Sequence, residues 1–521
     1  MAATHAVAAP TGDHLRRAVT TWGSYSWGYA DIGADIYVAL GLVVGAAMGA
    51  ANIAFAFAGL VYVCIGLAYT ELASAYPVAG GGQFFVTRAL GDFMGFVCGW
   101  AVLLDFTIDI TLFAVFAVGY ISALVPWLAD PHHKLSYFLL TLGIIALLTY
   151  LNIKGVRESS RLNEFVAAVD VINESLIIFC GFLLAWDPKI LIHTMLAHWP
   201  TPGQLLLGTS LAIISFVGLE SISQAAEETH RPSSIIPRTS IGLILTILIF
   251  AIAYSNLVLG MQASTPHGSI PMYQYVGSDV NQDHAVAALA ATIPLLGTLF
   301  ALYLPVLAAL LVTISSNSGV FGASRIAYSM GQNQLLPSWF QRVSKGSRTP
   351  VGTILVFSGV AVVELIAAFV QSGQALNFLA DLYAFGASLS YTLVFCALIA
   401  LRFTDRAAPR RFRMPWNIPL KIGKLHGDVS VFAVVGLLGI FAILTFTLMT
   451  HPVGRIAGPA WVVLGVLFFA LYRRRTRRPV FGSVDRDWVH HHERVLASAG
   501  ELEMLDEYRE NVQKEKSTTP A

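Results

Sequence analysis

Residues 27–37 read WGYADIGADIY and stand inside the first long apolar run of the chain. Asp31 and Asp35 place ionisable groups where a lipid-spanning helix is otherwise apolar, and each costs about 2.5–3.5 kcal/mol at that depth. Gly28 and Gly33 allow the helix to unwind, and unwound backbone at membrane depth is tolerated only where it lines a protein-enclosed cavity. This stretch therefore predicts one half of a substrate site.

The composition of the chain is that of a membrane protein. Of its 521 residues, 56% are hydrophobic and 12% are charged, and the mean hydropathy is +0.66; a soluble protein carries about 25% charged residues. Runs of roughly 20 apolar residues, the length that crosses about 30 Å of hydrocarbon, predict about twelve spans in an all-α polytopic fold. The centres of these runs lie near Val38, Leu60, Leu103, Ile145, Ile177, Ile213, Leu245, Leu307, Ala361, Ser390, Leu437 and Leu464.

Charge and cysteine usage limit the partners of the protein. A net charge of +1 gives no sign of nucleic acid or another acidic macromolecule as a partner. The four cysteines stand far apart in apolar runs without metal-ligand spacing, so they are predicted to pack rather than to bind a metal. The predicted partners are the lipid bilayer and a small solute.

Basic residues collect in every second loop, which predicts the orientation in the cell membrane. The loops assigned to the outside hold only Lys134, Lys189 and Arg455. We therefore expect a multi-pass protein with both termini cytosolic, comprising an N-terminal tail over 1–20, a transporter domain over 21–478 and a C-terminal tail over 479–521. The C-terminal tail, with three adjacent histidines at 490–492, is predicted to be charged, helical and solvated.

Breaks in the first and sixth spans form a matched pair. Gly28, Gly33 and Gly41 interrupt the first span, and the sequence SFVGLE at 215–220 interrupts the sixth. Two interrupted helices five spans apart indicate an inverted repeat with a site at the bilayer midplane. The repeats are predicted at about 21–186 and 203–402, followed by two further helices at about 428–474. The alternative is that these glycines only allow close helix packing.

Carboxylates four residues apart within apolar spans are the most specific chemical signal. Residues at this spacing share one face of a helix. The pairs are Asp31 with Asp35, Asp105 with Asp109, and Asp170 with Glu174, and Glu220 and Glu364 add single acids. Like charges in a low dielectric cannot all stay ionised, so either protons or a cation must sit among them. The alternative is that some of these acids cap helices or bond nearby carbonyl groups.

Four stretches, in order along the chain, carry a family resemblance. They are IGADIY at 32–37, ELASAYPVAGG at 71–81 with Gly91 and Gly99-Trp100, FVGLE at 216–220 followed by Glu227-Glu228-Thr229, Pro232 and Pro237-Arg238, and Ser324-Arg325 with Pro337. Together they resemble the amino acid, polyamine and organocation superfamily of secondary transporters. The resemblance implies a leucine-transporter-like fold of two inverted five-helix repeats plus two helices, with alternating access and proton or sodium coupling.

Two positions depart from that family pattern. In the family, backbone amides at the helix 1 break bind the substrate carboxylate, which implies Gly33 and Ala34 here. Asp35 replaces the second glycine of the family triplet and places a negative charge where a carboxylate would dock. Asp170 falls near a helix 5 position where some proton-coupled relatives keep a lysine. An α-amino acid substrate is therefore disfavoured unless Asp35 is protonated or points away.

A narrower resemblance concerns the potassium-uptake members of the same superfamily. Asp31-Ile32-Gly33 with Tyr37, Leu104-Asp105-Phe106 and Leu382-Tyr383-Ala384 are similar to positions that these members use. Similar residues occur in amino acid permeases, so they do not decide the substrate.

Our leading hypothesis is a secondary transporter that moves amino acids or polyamines by cation-coupled symport or exchange, and the alternative is proton-coupled potassium uptake. No catalytic constellation supports an enzyme, and no cofactor is expected beyond H⁺ or Na⁺ as the coupling ion. The predicted substrate-binding residues are Gly33, Ala34, Asp35, Tyr37, Phe216, Gly218 and Tyr383. The predicted coupling residues are Asp31, Asp105, Asp109, Asp170, Glu220, Ser315 and Ser316.

Overall fold

The computed structural model describes residues 20–78, 80–155, 160–224, 226, 229, 231–266, 268–344, 349–370, 375–423 and 425–518. The described part is mostly helical. The predicted N-terminal tail lies outside it except for Thr20, as do residues 79, 227 and 228 of the family-like stretches.

Twenty α-helices follow one another along the described chain. They are α1 (Thr21–Ile32), α2 (Asp35–Ala47), α3 (Ala51–Ala75), α4 (Gly81–Leu90), α5 (Asp92–Leu124), α6 (Lys134–Lys154), α7 (Ser160–Leu184), α8 (Pro188–Ala197), α9 (Pro202–Ala212), α10 (Glu220–Gln224), α11 (Pro232–Leu259), α12 (Met272–Val276), α13 (Ala285–Ala291), α14 (Gly297–Gln332), α15 (Val351–Val370), α16 (Ala375–Thr404), α17 (Val431–Thr450), α18 (Gly454–Arg475), α19 (Trp488–Ala499) and α20 (Leu502–Thr518).

Eleven helical stretches in the described part are long and apolar enough to cross a membrane. The first of them, Thr21–Ala75, is 55 residues long and contains α1, α2 and α3. Since about 20 residues cross the bilayer, it holds both the first and the second predicted span. All twelve predicted centres fall within these stretches, and the predicted polytopic helical membrane fold is confirmed.

Two short antiparallel hairpins were not predicted. Strand β1 (Gln262–Thr265) pairs with β2 (Gly268–Pro271), and β3 (Asn417–Ile422) pairs with β4 (Leu425–Ser430). Their strands are four to six residues long and lie in connections between helices, where the apolar runs that locate membrane spans give no signal.

Helix α5 lies at the centre of the bundle. The most apolar window of this 33-residue helix is completely buried, although it is apolar enough to face lipid. Helix α14 packs closely against it, because a Cβ atom at Gly319 would lie 2.9 Å from both the Asp109 Cβ and the Phe106 carbonyl oxygen. Small residues at such contacts let membrane helices approach closely. This contact holds the acidic residues of α5 in the protein interior.

The C-terminal tail is docked against the helix bundle. It is helical, as predicted, but the prediction that its histidines are solvated is wrong for His492, which is 2% exposed. The His492 ring packs edge-on against Tyr76 and Tyr508. Burial of these three rings explains why a charged segment holds to the protein surface.

The tail also bonds to four loops that the basic-residue pattern assigns to one side of the membrane. The Trp488 carbonyl accepts from Arg88 at the end of α4, and Arg486 donates to the Asn333 carbonyl after α14 at 2.6 Å. The remaining two contacts join Glu501 to Ser233 in α11 and Asn511 to the Ala407 carbonyl after α16. These loops therefore lie on one face of the bundle.

Candidate functional site

The break in the first span is short. Helix α1 ends at Ile32 and α2 begins at Asp35, and Gly33 and Ala34 between them keep right-handed helical dihedral angles. The predicted unwinding of this span is therefore wrong: Gly28 and Gly41 lie within α1 and α2, and the interruption at Gly33–Ala34 leaves the helical dihedral angles in place. The Asp31 carbonyl accepts a hydrogen bond at 3.1 Å from the Ser315 hydroxyl of α14, which satisfies a buried backbone group next to the break.

The break in the sixth span is more complete. After α9, a 3-10 turn over Ile213–Phe216 leads into Val217 in an extended conformation and Gly218 at φ +106°, and α10 then begins at Glu220. A φ in this region suits glycine and strains other residues. The Gly218 amide, freed from helical bonding, donates to Glu220 Oε2 at 3.2 Å.

The two breaks meet in the interior of the protein. A Cβ atom at Gly218 would lie 3.1 Å from Asp31 Oδ2 and 3.1 Å from the Ile32 amide nitrogen. Next to this contact, the Phe216 ring stacks on Tyr62 with centroids 4.9 Å apart. The backbone of the sixth span thus approaches the first span as closely as a residue without a side chain permits.

Five carboxyl groups surround the meeting point of the breaks, and we call them the acidic cluster. Each is at most 5% exposed, and the members are Asp31, Asp35, Asp105, Asp109 and Glu220. The charges that act most strongly on the four aspartates are other carboxylates of the same cluster. The structure therefore brings together residues from the first, third and sixth spans, as the hypothesis of one shared site requires.

Hydroxyl groups from three further helix positions reach the acidic cluster. Ser318 of α14 donates to Asp31 Oδ1, and Tyr391 of α16 donates to Glu220 Oε2 at 2.8 Å. Tyr383 of α16 lies near Asp109.

Several cluster oxygens have no hydrogen-bond donor within the described part of the chain. They are Asp31 Oδ2, Asp35 Oδ2, both Asp105 carboxyl oxygens and Asp109 Oδ1. A buried carboxylate without a donor or counter-charge is costly. The chemistry of this cluster therefore calls for bound protons or a cationic group.

Asp170 and Tyr37 do not belong to the acidic cluster. Tyr37 donates to Asp170 Oδ1 at 2.6 Å, and Tyr29 donates to Asp170 Oδ2 at 2.8 Å. Glu174 lies beside them with its Oε2 3.3 Å from the Tyr29 hydroxyl. We call Asp170 and Glu174 the α7 acid pair, which is fully buried and interacts with tyrosines of α1 and α2.

The predicted coupling residue Ser316 and the further acid Glu364 make hydrogen bonds outside the cluster. The Ser316 hydroxyl donates to the Ile110 carbonyl at 2.8 Å and so ties α14 to α5. Glu364 of α15 accepts from Thr107 at 2.8 Å and from Thr111 at 3.5 Å, and both of its oxygens have donors.

Comparison with known proteins assigns the chain to a family. A family model described as amino acid permease matches residues 20–471, which is most of the chain. The chain belongs to the amino acid permease family. The predicted resemblance is confirmed, and the permease is a transporter and not an enzyme.

Individual relatives of the permease differ in the solutes that they are named for. It is 25% identical over 463 residues to the branched-chain amino acid permease BcaP of Bacillus subtilis, covering 86% of this chain and 90% of the relative. It is 23% identical over 452 residues to the low-affinity putrescine importer PlaP of Escherichia coli, covering 85% and 91%. It is also 23% identical over 467 residues to the methylthioribose transporter of Bacillus subtilis, covering 85% and 90%. Membership of the family therefore leaves the class of solute open.

Sequence reasoning missed three residues that contact the acids of the permease. Ser318 had an available signal, because it lies three residues after Ser315 and so on the same face of α14. Tyr29 and Tyr391 gave no signal beyond being tyrosines within apolar spans, although Tyr29 lies only four residues before Gly33. Tyrosines in membrane helices usually pack, so their hydroxyl partners become visible only in the structure.

Proposed function

We propose that the permease carries a cationic, amine-bearing solute, a basic amino acid or a polyamine, across the cell membrane by cation-coupled symport or exchange. The observation that carries this proposal is the acidic cluster, five buried carboxyl groups at the point where the two broken spans meet. A solute with one or more ammonium groups supplies the hydrogen-bond donors and positive charge that these carboxylates need.

The surroundings of the breaks disfavour a carboxylate ligand. A helix N-terminus attracts anions, but the first residue of α2 is itself an acid, Asp35. In the sixth span, the freed Gly218 amide already donates to Glu220. A protein carboxylate therefore already occupies the Gly218 amide, and an acid stands at the start of α2, which supports an amine group as the part of the solute that binds here.

The predicted residues that lie at the breaks and in the acidic cluster take roles in this proposal that follow from their places. The backbone at Gly33, Ala34, Phe216 and Gly218 lines the site, with Tyr383 beside it. Asp31, Asp105, Asp109 and Glu220 bind the solute cation or the coupling proton or sodium ion, and Ser315 and Ser318 hold the first span against α14. Alternating access would open the site to each side of the membrane in turn.

The distribution of basic residues supports a C-terminal tail on the cytosolic side of the membrane. The four loops that the C-terminal tail contacts are loops that the basic residues assign to the cytosol. We therefore propose that the tail docks on the cytosolic face and that both termini are cytosolic.

Uptake by proteoliposomes tests the choice of solute. Purified permease would be offered a diamine, a basic amino acid, a branched-chain amino acid and potassium, each with an imposed proton or sodium gradient. We expect gradient-stimulated uptake of the diamine or the basic amino acid. Uptake of potassium without any amine would favour the alternative of potassium transport, and uptake of neutral amino acids alone would overturn the proposal.

Replacement of one cluster acid tests the site. Asp105→Asn should lower the rate of amine uptake by about tenfold or more, because an interaction with a charged group is worth about 1.5–3 kcal/mol and 1.4 kcal/mol is tenfold. Glu364→Gln is the matched control, since it removes another buried acid that packs on the same helix but has its own threonine donors. Equal uptake by Asp105→Asn and the wild type, at equal protein in the membrane, would remove Asp105 from the site.

A further inference from the structure

Both halves of the broken first span are bonded to one carboxylate. Tyr29 lies in the last turn of α1, before the break, and Tyr37 lies in the first turn of α2, after it. Their hydroxyls donate to the two oxygens of Asp170, at 2.8 Å and 2.6 Å. Asp170 on α7 therefore joins the two half-helices across the Gly33–Ala34 break.

The second member of the α7 acid pair, Glu174, lies one turn further along and, in the described part of the chain, has no hydrogen-bond donor that it does not share with Asp170. Asp170 and Glu174 are both 0% exposed. The Tyr29 hydroxyl lies 2.8 Å from Asp170 and 3.3 Å from Glu174, but it has a single hydrogen and can donate fully to only one of them. Within the described residues, Glu174 Oε1 has no donor at all.

Among the residues that the structure describes, the groups that face the pair do not neutralise it. The titratable groups that interact with it from the neighbouring helices are tyrosines, from α1, α2, α5, α11 and α14: Tyr25, Tyr29, Tyr37, Tyr120, Tyr254 and Tyr303. Asn173 adds an amide, which bonds the Tyr37 and Tyr303 hydroxyls at 3.4 Å and 2.6 Å. Two ionised carboxylates one turn apart in this environment would repel each other without compensation.

We infer that the α7 acid pair is a proton-binding site of its own, separate from the acidic cluster, and that the bound proton keeps the two halves of the first span joined. The inference rests on the proposed transport function. With a proton on Glu174, its carboxylic acid can donate to a neighbouring oxygen, and Asp170 stays ionised and accepts from both tyrosines. When that proton leaves, Glu174 competes for the single Tyr29 hydrogen and repels Asp170. The link to α1 then weakens while the link from Tyr37 to α2 remains.

Such a site would couple proton release to movement of α1 relative to α2. Because α1 carries Asp31 at the meeting point of the breaks, a change in the α1 link reaches the acidic cluster directly. Tyr29 and Tyr37 act in this scheme as positioning residues, and the ligand of the pair is the proton.

The test separates solute exchange from proton-driven accumulation in proteoliposomes. Glu174→Gln mimics a permanently protonated Glu174, so solute counterflow should stay within about twofold of the wild type. Accumulation driven by an imposed pH gradient should fall at least tenfold, and the solute-linked proton flux, read with an enclosed pH dye, should be lost. Glu174→Asp restores a titratable group and should recover part of both losses. Glu364→Gln, which removes a buried acid with threonine donors, should keep all three activities.

Several outcomes would overturn the inference, and they differ from failure of the proposed function. If Glu174→Gln accumulates solute and moves protons like the wild type, the pair binds no coupling proton. The pair also binds no coupling proton if the wild type accumulates solute on a sodium gradient but not on a pH gradient. If the wild type exchanges no solute at all, the proposed function itself fails in the first measurement. Should Glu174→Gln not fold, Tyr29→Phe keeps both acids and removes the contested hydrogen, and an unchanged pH profile of transport in that variant would refute the link.

Discussion

Replacement of Gly218 by alanine tests the meeting of the two breaks most directly. Gly218 adopts φ +106°, a conformation that costs other residues about 1–3 kcal/mol. A Cβ atom at this position would also lie 3.1 Å from both Asp31 Oδ2 and the Ile32 amide nitrogen, which is tighter than ordinary van der Waals contact. The equilibrium constant for the joined arrangement of the breaks should therefore fall by about 5- to 150-fold, the factor that corresponds to 1–3 kcal/mol.

The assay is the initial rate of solute uptake per unit of protein in the membrane, together with the rise in melting temperature that the solute induces. Both should fall in Gly218→Ala. Gly359→Ala is the matched control, because Gly359 lies on the exposed face of α15 with nothing within 4 Å of an added Cβ. Alanine there should leave transport unchanged and stabilise the helix by up to about 1 kcal/mol. Wild-type uptake by Gly218→Ala would show that the breaks need not meet in this way during transport.

Two further predictions concern the face of the bundle that carries the tail. Arg402→Met should lower the free energy of unfolding, and the melting temperature with it, because Arg402 and Glu71 are a fully buried ion pair. The loss should be about 3 kcal/mol or less, the lower end of the range for breaking a buried pair, because Arg410 stays 3.4 Å from Glu71. Addition of Glu71→Gln should recover part of the loss, and a double variant less stable than the single one would contradict this. Burial lowers the pKa of His492 from 6.5 to about 3, so the docked tail binds fewer protons than a released one below pH 6.5. His492 alone should therefore weaken docking as the pH falls, by about 2 kcal/mol at pH 5, and His491, whose pKa burial lowers to about 4, acts in the same direction. Limited proteolysis of the tail at pH 7 and pH 5 measures this, and equal protection at the two pH values would refute it; His492→Phe, which keeps a ring against Tyr76, should reduce the acid sensitivity.

The number of spans and the position of the breaks could be predicted from sequence because both depend on local properties. Apolar length locates a span wherever it packs, and Gly33 and Gly218 mark interruptions that no membrane helix tolerates without a reason. The extent of each break could not be predicted from local sequence, because Gly33 keeps helical dihedral angles whereas Gly218 does not. That difference depends on what each segment packs against.

The membership of the acidic cluster could be predicted only in part. The four-residue spacing correctly placed Asp105 and Asp109 on one face of α5, but spacing within a helix says nothing about how helices rotate relative to one another. Asp170 was therefore grouped with acids that it does not meet, and Tyr37 was assigned to the substrate when its hydroxyl points to Asp170. The docked tail was missed for a related reason, because its charge suggested solvation and its ring contacts are tertiary.

The acids at the two breaks bear on how permeases with the same fold could carry different solutes. Asp35 and Glu220 occupy the freed amides as resident anions, so the sign of charge that the pocket accepts depends on two side chains and not on the course of the helices. Small neutral residues at both positions would release those amides to an incoming carboxylate. The same scaffold could thus exchange amine carriers for acid carriers through two substitutions, with no change in the number, order or packing of its membrane spans.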